Sequence, residues 1–370
     1  MSAPRLFLGN FDFEHRLADP HYTPSLKLQR LNGELATSWL AIANDGDLIR
    51  TPSPIDAAFF LDAVQTGLPH VIPVVDMVDI PRGVECVPWG WSSEVRTFMK
   101  RVGGIGQGPS DDAVRFANSR ATSERLEREW GVGLSGASRL DSLEGLDEAI
   151  RNLADERRRW VVKAEFGMSA RERMIGQGAP VESDKNWVRR RLVSHSAVFF
   201  EPWVDRIEEA GIQMEVPVDG PPRLIGLTPM RVDVRGQYEG SWFAYSDARF
   251  QFDSDIWRGA VEIALRAATE LQSHGYFGPL GIDAMLYRDE QGTPRIRPLQ
   301  DINARWTMGR LSLGLRRFLK PGEQGFWQHG STDDRFERCT IEPARAVPTS
   351  PDRVGNERCQ HVSRIIIPAG

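Results

Sequence analysis

Four polar residues in the second half of the chain combine the side-chain types that magnesium and phosphate chemistry needs. Asp283 lies in one apolar run, and Asp301, Asn303 and Arg305 alternate with apolar residues in the next. Mg²⁺ prefers oxygen ligands and usually keeps phosphates and waters in its shell, so the two carboxylates and the Asn303 amide oxygen are candidate ligands for one or two ions. Arg305 is the candidate for stabilising phosphate charge. The alternative is four ordinary surface residues, although an unpaired charge inside an apolar strand is costly.

The elements that position these residues are predicted from the apolar pattern. Two apolar runs, at 280–287 and 295–305, are separated by a turn-rich link, a pattern typical of a β-hairpin. Because side chains alternate between the two faces of a strand, the three polar residues of the second run are predicted to share one face. Folding the hairpin at its link places Asp283 roughly opposite Gln300.

The remaining pattern predicts mixed α/β and α+β structure in three parts. Residues 1–108 alternate short apolar runs with helical spacing and are predicted to form a small α/β domain. Residues 109–320 form the predicted main domain, which includes a polar helix over 111–130. Residues 321–370 are rich in glycine, proline and charge and are predicted to be a C-terminal tail. The glycine-rich segment 103–108 is interpreted as a linker, because no strong strand precedes it and no Walker lysine follows it.

The acidic hairpin resembles that of the ATP-grasp superfamily, whose final core strands carry an acidic residue and then a Glu/Asp-x-Asn-x-Arg motif. The matching residues are Asp283 and Asp301-Ile302-Asn303-Ala304-Arg305. The continuation Trp306-Thr307-Met308-Gly309 is similar to that of a bacterial subgroup with peptide-ligase-like members. The resemblance covers roughly residues 111–319 and implies an ATP-grasp fold. In that fold two α+β lobes clasp ATP, here preceded by a small α/β pre-ATP-grasp domain.

The resemblance also implies nucleotide-binding roles for residues that occur upstream in the family's order. The implied contacts are Arg120 at the start of the ATP-binding region, Lys163 and Ser169 at the phosphates, Glu201, Trp203 and Val204 at the adenine, and Glu208 or Glu209 at the ribose. Lys163 and Arg305 are the implied catalytic residues, acting by charge. Taken alone, Lys163 would be interpreted as a surface residue and Glu201 as the end of a strand.

The activity implied by the resemblance is a ligase that depends on ATP and Mg²⁺. A carboxylate would be activated as an acylphosphate, and an amine would displace phosphate to leave an amide or peptide bond. Arg231 and Arg235 are candidate clamps for the carboxylate. The alternatives are an ATP-dependent small-molecule kinase on the same scaffold and a nucleotide-binding protein without turnover. The expected partners are small carboxylates and amines, with amino acids and peptides as candidates, and the sequence does not identify them.

Composition argues against several other classes of protein. The 370 residues include 46 Lys and Arg against 51 Asp and Glu, a net charge of -5 spread along the chain, so no nucleic-acid or membrane-binding surface is expected. Three cysteines are too few for a disulfide framework, and neither a signal peptide nor a membrane-spanning apolar stretch is found, so a cytoplasmic location is expected. The seven histidines form no zinc motif and are interpreted as surface or structural residues.

Overall fold

Three main β-sheets organise the chain: a parallel sheet near the N-terminus, a small antiparallel sheet in the middle, and a large antiparallel sheet in the C-terminal half. The computed structural model describes residues 4–19, 21–153, 158–167, 172–245, 255–332 and 341–368. No helix in this described part is long and apolar enough to cross a membrane.

The N-terminal region is built on four parallel strands joined by short helices. Its elements are β1 (Arg5–Leu8), α1 (Phe13–Ala18), α2 (Leu26–Leu35), a 3₁₀ helix (Ala36–Ala41), β2 (Leu48–Arg50), α3 (Ala57–Gln65), β3 (Ile72–Val74), a 3₁₀ helix (Met77–Asp79), β4 (Glu85–Pro88) and α4 (Ser93–Val102). The strand order is β3-β2-β1-β4. Leu6 and Phe7 of β1 are fully buried in two different apolar clusters, so both faces of the sheet are covered. The predicted α/β character of this region is confirmed.

A small sheet with its own helices follows. Its elements are α5 (Asp111–Asn118), α6 (Arg120–Trp130), β5 (Ser138–Leu140), α7 (Leu143–Arg151), β6 (Arg159–Lys163), β7 (Arg173–Gln177), α8 (Glu182–Ser194) and β8 (Val198–Pro202). The strands pair antiparallel in the order β5-β8-β6-β7. The single helix predicted over 111–130 is instead two helices, because Ser119 adopts an extended backbone and its hydroxyl accepts the Ala121 N–H. This break makes Arg120 the first residue of α6.

The C-terminal half forms one sheet of eight antiparallel strands. Its elements are β9 (Asp205–Val216), β10 (Arg223–Val232), β11 (Tyr238–Ala244), α9 (Asp255–Ser273), β12 (Gly278–Arg288), β13 (Pro294–Asn303), α10 (Met308–Ser312), a 3₁₀ helix (Leu313–Phe318), β14 (Gln324–Ser331), β15 (Pro343–Pro348), β16 (Arg353–Val354), β17 (Glu357–Arg358) and β18 (His361–Pro368). The order is β13-β12-β9-β10-β11-β14-β18-β15, and β16 with β17 forms a separate ribbon. Helix α9 packs on the sheet through buried alanines, including Ala260, Ala264 and Ala267.

The segment 321–370, predicted as a tail, supplies three strands of this sheet. Strand β14 pairs with β11 on one side and with β18 on the other, and β15 pairs with β18. Trp327, Ile365 and Ile366 are buried there. In its described residues this segment is therefore part of the large sheet and not a tail. Its apolar side chains become buried by joining the sheet, which favours this arrangement.

The predicted hairpin is formed by β12 and β13, with a register one residue away from the expected one. Asp283 faces Asp301 rather than Gln300. The register shifts between Asp283 and Met285, where Met285 pairs with Arg297. The extra residues of β13 form a bulge that contains a proline, which has no N–H for the ladder. The correction brings the two carboxylates directly opposite each other.

Candidate active site

The predicted metal ligands meet where β12 and β13 face each other. Asp283 and Asp301 are direct partners in the hairpin, and Asn303 Nδ2 donates a hydrogen bond of 3.1 Å to Asp283 Oδ2. Arg305 Nη2 donates one of 2.9 Å to Asn303 Oδ1. Burial, and then the facing Asp301 carboxylate, raise the pKa of Asp283 to about 7. Like charges directly opposite each other are destabilising, so this acidic pair is electrostatically incomplete without a proton or a cation.

Arg120 brings positive charge to the acidic pair. Its Nη1 and Nη2 lie 3.1 and 3.0 Å from Asp301 Oδ2, and its Nε donates a hydrogen bond of 3.0 Å to the Ala164 carbonyl oxygen. The start of α6 is held by Ser119, whose hydroxyl donates a hydrogen bond of 2.7 Å to Glu165 Oε1. The residue predicted to contact the nucleotide therefore lies beside a predicted metal ligand.

Four ions form a chain from β6 to α6, which we call the ion ladder: Lys163, Glu201, Arg297 and Glu127. Lys163, Arg297 and Glu127 are buried, and Glu201 is partly buried. Lys163 Nζ lies 2.8 Å from Glu201 Oε2. Arg297 Nη1 lies 3.1 Å from Glu201 Oε2, and Arg297 Nε lies 2.6 Å from Glu127 Oε1. Burial opposes ionisation of Glu201, but the charges of Arg297 and Lys163 outweigh it and hold the pKa of Glu201 below its usual range. Burial lowers the pKa of Lys163, and the Glu201 charge opposes that shift.

Two members of the ion ladder, Glu127 and Arg297, were not predicted from the sequence. Arg297 had a usable signal, since it lies in an apolar strand next to Ile296, where an arginine requires a partner. Glu127 had none, because it is one of several charged residues on a helix of mostly polar composition. Glu201, predicted at the adenine, has both carboxylate oxygens within hydrogen-bond distance of Lys163 or Arg297. Its observed partners are cations of the protein.

A cavity of about 290 Å³, the main cavity, brings together most of the predicted charged residues. The predicted residues that line it are Arg120, Lys163, Asp283, Asp301, Asn303 and Arg305. Phe11 and Glu14 of the N-terminal region form another part of its wall. The cavity is thus bounded by the N-terminal region, the small sheet and the large sheet, which is the arrangement that a nucleotide held between lobes requires.

Solved structures place this arrangement in a known architecture. The ADP complex of purK, an N5-carboxyaminoimidazole ribonucleotide synthetase, gives a TM-score of 0.53 at 13% identity over 91% of this chain and 91% of that chain. Campylobacter jejuni biotin carboxylase in a β,γ-ATP complex gives 0.56 at 11% identity over 100% and 88%. The biotin carboxylase domain of Hydrogenobacter thermophilus 2-oxoglutarate carboxylase, with MgADP and bicarbonate, gives 0.55 at 12% identity over 100% and 87%. The chain has the ATP-grasp fold.

This ATP-grasp likeness is one of fold, because the three identities lie between 11% and 13%. No protein-family model and no curated protein matches the chain. The roles of individual residues therefore depend on the geometry of the site itself.

The predicted adenine segment of the ATP-grasp domain lines a second cavity, of about 770 Å³. Trp203, Val204 and Glu208 lie in its wall and not among the residues of the main cavity. Glu209 lines both cavities, is buried, and accepts a hydrogen bond of 2.9 Å from Arg206 Nη1. Since neighbouring residues of a strand face opposite sides, Glu209 is the glutamate that faces the acidic pair.

Three further predicted residues are not among those that line the main cavity in the described part of the chain. Ser169 is outside the described residues, although Gly167, just before it, lines the main cavity. Arg231 lines the second cavity and its Nε lies 3.1 Å from Glu239 Oε2. Arg235 contributes its carbonyl oxygen to a hydrogen bond from a neighbouring arginine. Neither clamp candidate lies in the wall of the main cavity.

Glu14 of the N-terminal region completes the surroundings of Arg305. Arg305 Nε donates a hydrogen bond of 2.5 Å to Glu14 Oε1, and its guanidinium lies 5.3 Å from the centre of the Trp89 ring. Burial raises the pKa of Glu14, and the charge of Arg305 opposes that shift. Glu14 carried no recognisable sequence signal, because it lies on the first short helix, far from the hairpin. Its contact orients the guanidinium that was predicted to meet phosphate.

The chemistry of the predicted ligand set fits Mg²⁺. Asp283, Asp301 and Asn303 offer carboxylate and amide oxygens, the donors that this hard cation prefers. No group of three or more His, Cys, Asp or Glu side chains in the described part of the chain is arranged as a metal site. Two carboxylates and one amide leave places for phosphate and water, which is how Mg²⁺ is usually held beside a nucleotide.

Proposed function

We propose that the chain is a ligase, dependent on ATP and Mg²⁺, that joins a small carboxylate to an amine through an acylphosphate. The observation that carries the proposal is the Asp283–Asp301 pair in one cavity with Lys163 and Arg305. The ATP-grasp fold supports it, since the structural neighbours include complexes with ADP, with ATP, and with MgADP and bicarbonate.

The residues divide between binding and charge stabilisation. Asp283, Asp301 and Asn303 would hold Mg²⁺, which supplies charge neutralisation at the phosphates when bound. Lys163 would contact the phosphates from β6, at a position set by its pairing with Glu201. Arg305 would stabilise charge on the transferred phosphoryl group, at an orientation set by Glu14 and Asn303.

The proposed reaction needs no nucleophile from the protein. A carboxylate oxygen of the acid attacks the γ-phosphorus, the bond to the β-phosphate oxygen breaks, and ADP leaves with the electron pair. The amine nitrogen then attacks the acyl carbon, the carbon–oxygen bond to phosphate breaks, and phosphate leaves while the nitrogen loses a proton. Catalysis depends on positioning and charge stabilisation, for which the paired cations around the main cavity are suited.

The test measures ADP release by purified protein with Mg²⁺-ATP and a pool of amino acids, dipeptides and small acids that includes bicarbonate. Mass spectrometry of the products should show an adduct that has lost one water relative to two pool members. The Asp301→Asn variant should lower this turnover by about 100-fold or more while the protein stays folded. Asp289→Asn, in the turn of the same hairpin, is the matched control and should leave turnover unchanged.

Three outcomes count against the proposal. A phosphorylated pool member without an adduct would indicate the kinase alternative. Tight nucleotide binding without turnover of any pool member would indicate the binding-protein alternative. Unchanged turnover in Asp301→Asn would remove the metal-site argument.

A further inference from the structure

Four lysine and arginine side chains in the described part of the chain line the main cavity: Arg120, Lys163, Arg173 and Arg305. Three of them lie 3.0, 2.8 and 2.5 Å from carboxylates of the protein. Arg173, on β7, was not predicted from the sequence and forms no ion pair with a carboxylate of the described residues. Its positive charge is therefore the one in this wall that is left for an anion from outside the described structure.

Arg173 lies directly opposite Lys163 in the antiparallel pair of β6 and β7. Side chains at opposite positions project from the same face of a sheet, with Cβ atoms about 5 Å apart. Lys163 Nζ contacts Glu201 on the same sheet, whereas Arg173 Nη2 donates a hydrogen bond to the Arg235 carbonyl oxygen in the turn between β10 and β11. The two cations thus leave one place on the small sheet and have different partners, and Arg173 links that sheet to the large one.

The guanidinium of Arg173 keeps donors that a ligand can reach. The side chain is partly exposed, and its Nε and Nη1 make no hydrogen bond within the described residues and are not buried. Gly236 lines the same cavity, and a Cβ atom there would lie 3.3 Å from Arg173 Nη1 and 2.6 Å from Arg206 Nη1. The glycine, at a φ of +73°, therefore allows the guanidinium to lie close to the turn.

The surroundings of Arg173 disfavour its positive charge. Burial lowers the pKa of Arg173, the charge of Arg206 lowers it further, and Asp233 opposes these shifts without cancelling them. The charge of Arg120 lowers the pKa of both Arg173 and Lys163, so the three cations are close enough to act on one another. Since a guanidinium stays charged at ordinary pH, a multivalent anion between these side chains would relieve the repulsion.

We propose that Arg173 binds a phosphate group of the nucleotide, beside the phosphate contact of Lys163. The inference rests on the proposed function and adds a residue to its nucleotide site. Phosphate oxygens accept charge-assisted hydrogen bonds from a guanidinium, and the carboxylate of the acid offers a similar acceptor. The position opposite Lys163 favours phosphate, because Lys163 is proposed to contact the phosphates.

The test compares the affinities of adenosine and of Mg²⁺-ADP for the wild type and for Arg173→Met, measured by equilibrium dialysis. The variant should raise the Kd of Mg²⁺-ADP by roughly ten-fold or more, because a charge-assisted contact is lost. The Kd of adenosine, which has no phosphate, should change by less than about two-fold. Arg173→Lys keeps the charge without the planar donors and should give an intermediate loss. Arg190→Met is the control, because Arg190 is exposed on α8 and does not line the main cavity.

Two results of the binding measurement would overturn the assignment. One is an unchanged affinity of Arg173→Met for Mg²⁺-ADP. The other is an equal loss for adenosine and for Mg²⁺-ADP, which would indicate a structural role at the turn between β10 and β11. If Arg173→Met does not fold, Arg173→Lys decides, since its loss must still be confined to Mg²⁺-ADP.

The ligation assay separates phosphate from the carboxylate of the acid. At saturating nucleotide, Arg173→Met should change KM for the acid by less than about two-fold. A raised KM for the acid with unchanged affinity for Mg²⁺-ADP would assign Arg173 to the acid and overturn the phosphate contact. A wild type that does not bind Mg²⁺-ADP contradicts the proposed function, and this contact with it, whereas binding that does not depend on Arg173 contradicts the contact alone.

Discussion

The ion ladder and the acidic pair each have one member on β13, Arg297 and Asp301, and the two groups differ in how their charges are balanced. In the ion ladder, positive and negative groups alternate, and Arg297 contacts a carboxylate on each side. In the acidic pair, two carboxylates face each other, and the pKa of Asp283 rises to about 7. The charges of the ion ladder are balanced within the protein, whereas the ion pair of Arg120 with Asp301 leaves the pKa of Asp283 raised. The difference indicates which part is a fixed scaffold and which part is built for a ligand.

The largest expected effect comes from breaking the ion ladder. Arg297→Met removes the shared cation and leaves Glu127 buried without its ion-pair partner, whereas Glu201 keeps its contact with Lys163. The free energy of unfolding should fall by about 3–5 kcal/mol, because an uncompensated buried charge is strongly destabilising. Urea unfolding near neutral pH measures the change. Arg295→Met, on the same strand but exposed, is the control and should have little effect. If Arg297→Met lowers the free energy of unfolding by less than about 1 kcal/mol, the ion ladder is not a major source of stability.

The second largest effect is a pH dependence of the stability of the protein, and it comes from the acidic pair. Burial raises the pKa of Asp283 from its ordinary value of 3.8 to about 7, so between these values the folded protein holds a proton that the unfolded chain has lost. The contribution of this group to stability therefore falls as pH rises through that window. The total loss corresponds to about 4 kcal/mol at most, at 1.36 kcal/mol per pKa unit.

Asp283→Asn removes this titration and sharpens the comparison. Relative to the variant, the wild type should lose about 2–3 kcal/mol of unfolding free energy between about pH 5 and about pH 8, as measured by urea titration at both pH values. Mg²⁺ should recover part of the loss at the higher pH in the wild type and not in the variant. Parallel pH profiles for the two proteins would mean that Asp283 titrates normally.

Sequence patterns were sufficient to predict the hairpin and its polar residues, because turn composition and strand alternation are local properties of the chain. The ion ladder depends instead on a contact between Glu127 and Arg297, which are 170 positions apart. Glu14 and Arg305 are 291 positions apart, and neither turn composition nor strand alternation relates such distant residues. Tertiary contacts of this kind have no periodic signal in a single sequence. The bulge in β13 is similar, since it changes which residue Asp283 faces without changing the apolar pattern.

A smaller effect is expected where the ion ladder meets the main cavity. Lys163→Ala should weaken binding of Mg²⁺-ADP by about 2 kcal/mol, roughly 30-fold, because a charge-assisted contact to phosphate is lost. Folding should be affected less than in Arg297→Met, since Glu201 keeps its contact with Arg297. Isothermal titration calorimetry measures the affinity. Lys185→Ala, which breaks a surface pair with Asp147 in the same lobe, is the control. Equal affinities for both variants would place the phosphates away from Lys163.

The smallest effect separates two neighbouring glutamates near the acidic pair. Glu209 is buried and lines the main cavity, whereas Glu208 lines only the second cavity. If the ribose hydroxyls donate to Glu209, Glu209→Ala should weaken Mg²⁺-ADP by about 1 kcal/mol, roughly five-fold, and Glu208→Ala should change it by less than about two-fold. Calorimetry with 2′,3′-dideoxy-ADP tests the assignment, because a nucleotide without those hydroxyls should bind the wild type and Glu209→Ala about equally. The reverse order of the two alanine variants would put the nucleotide in the second cavity, beside Trp203 and Val204.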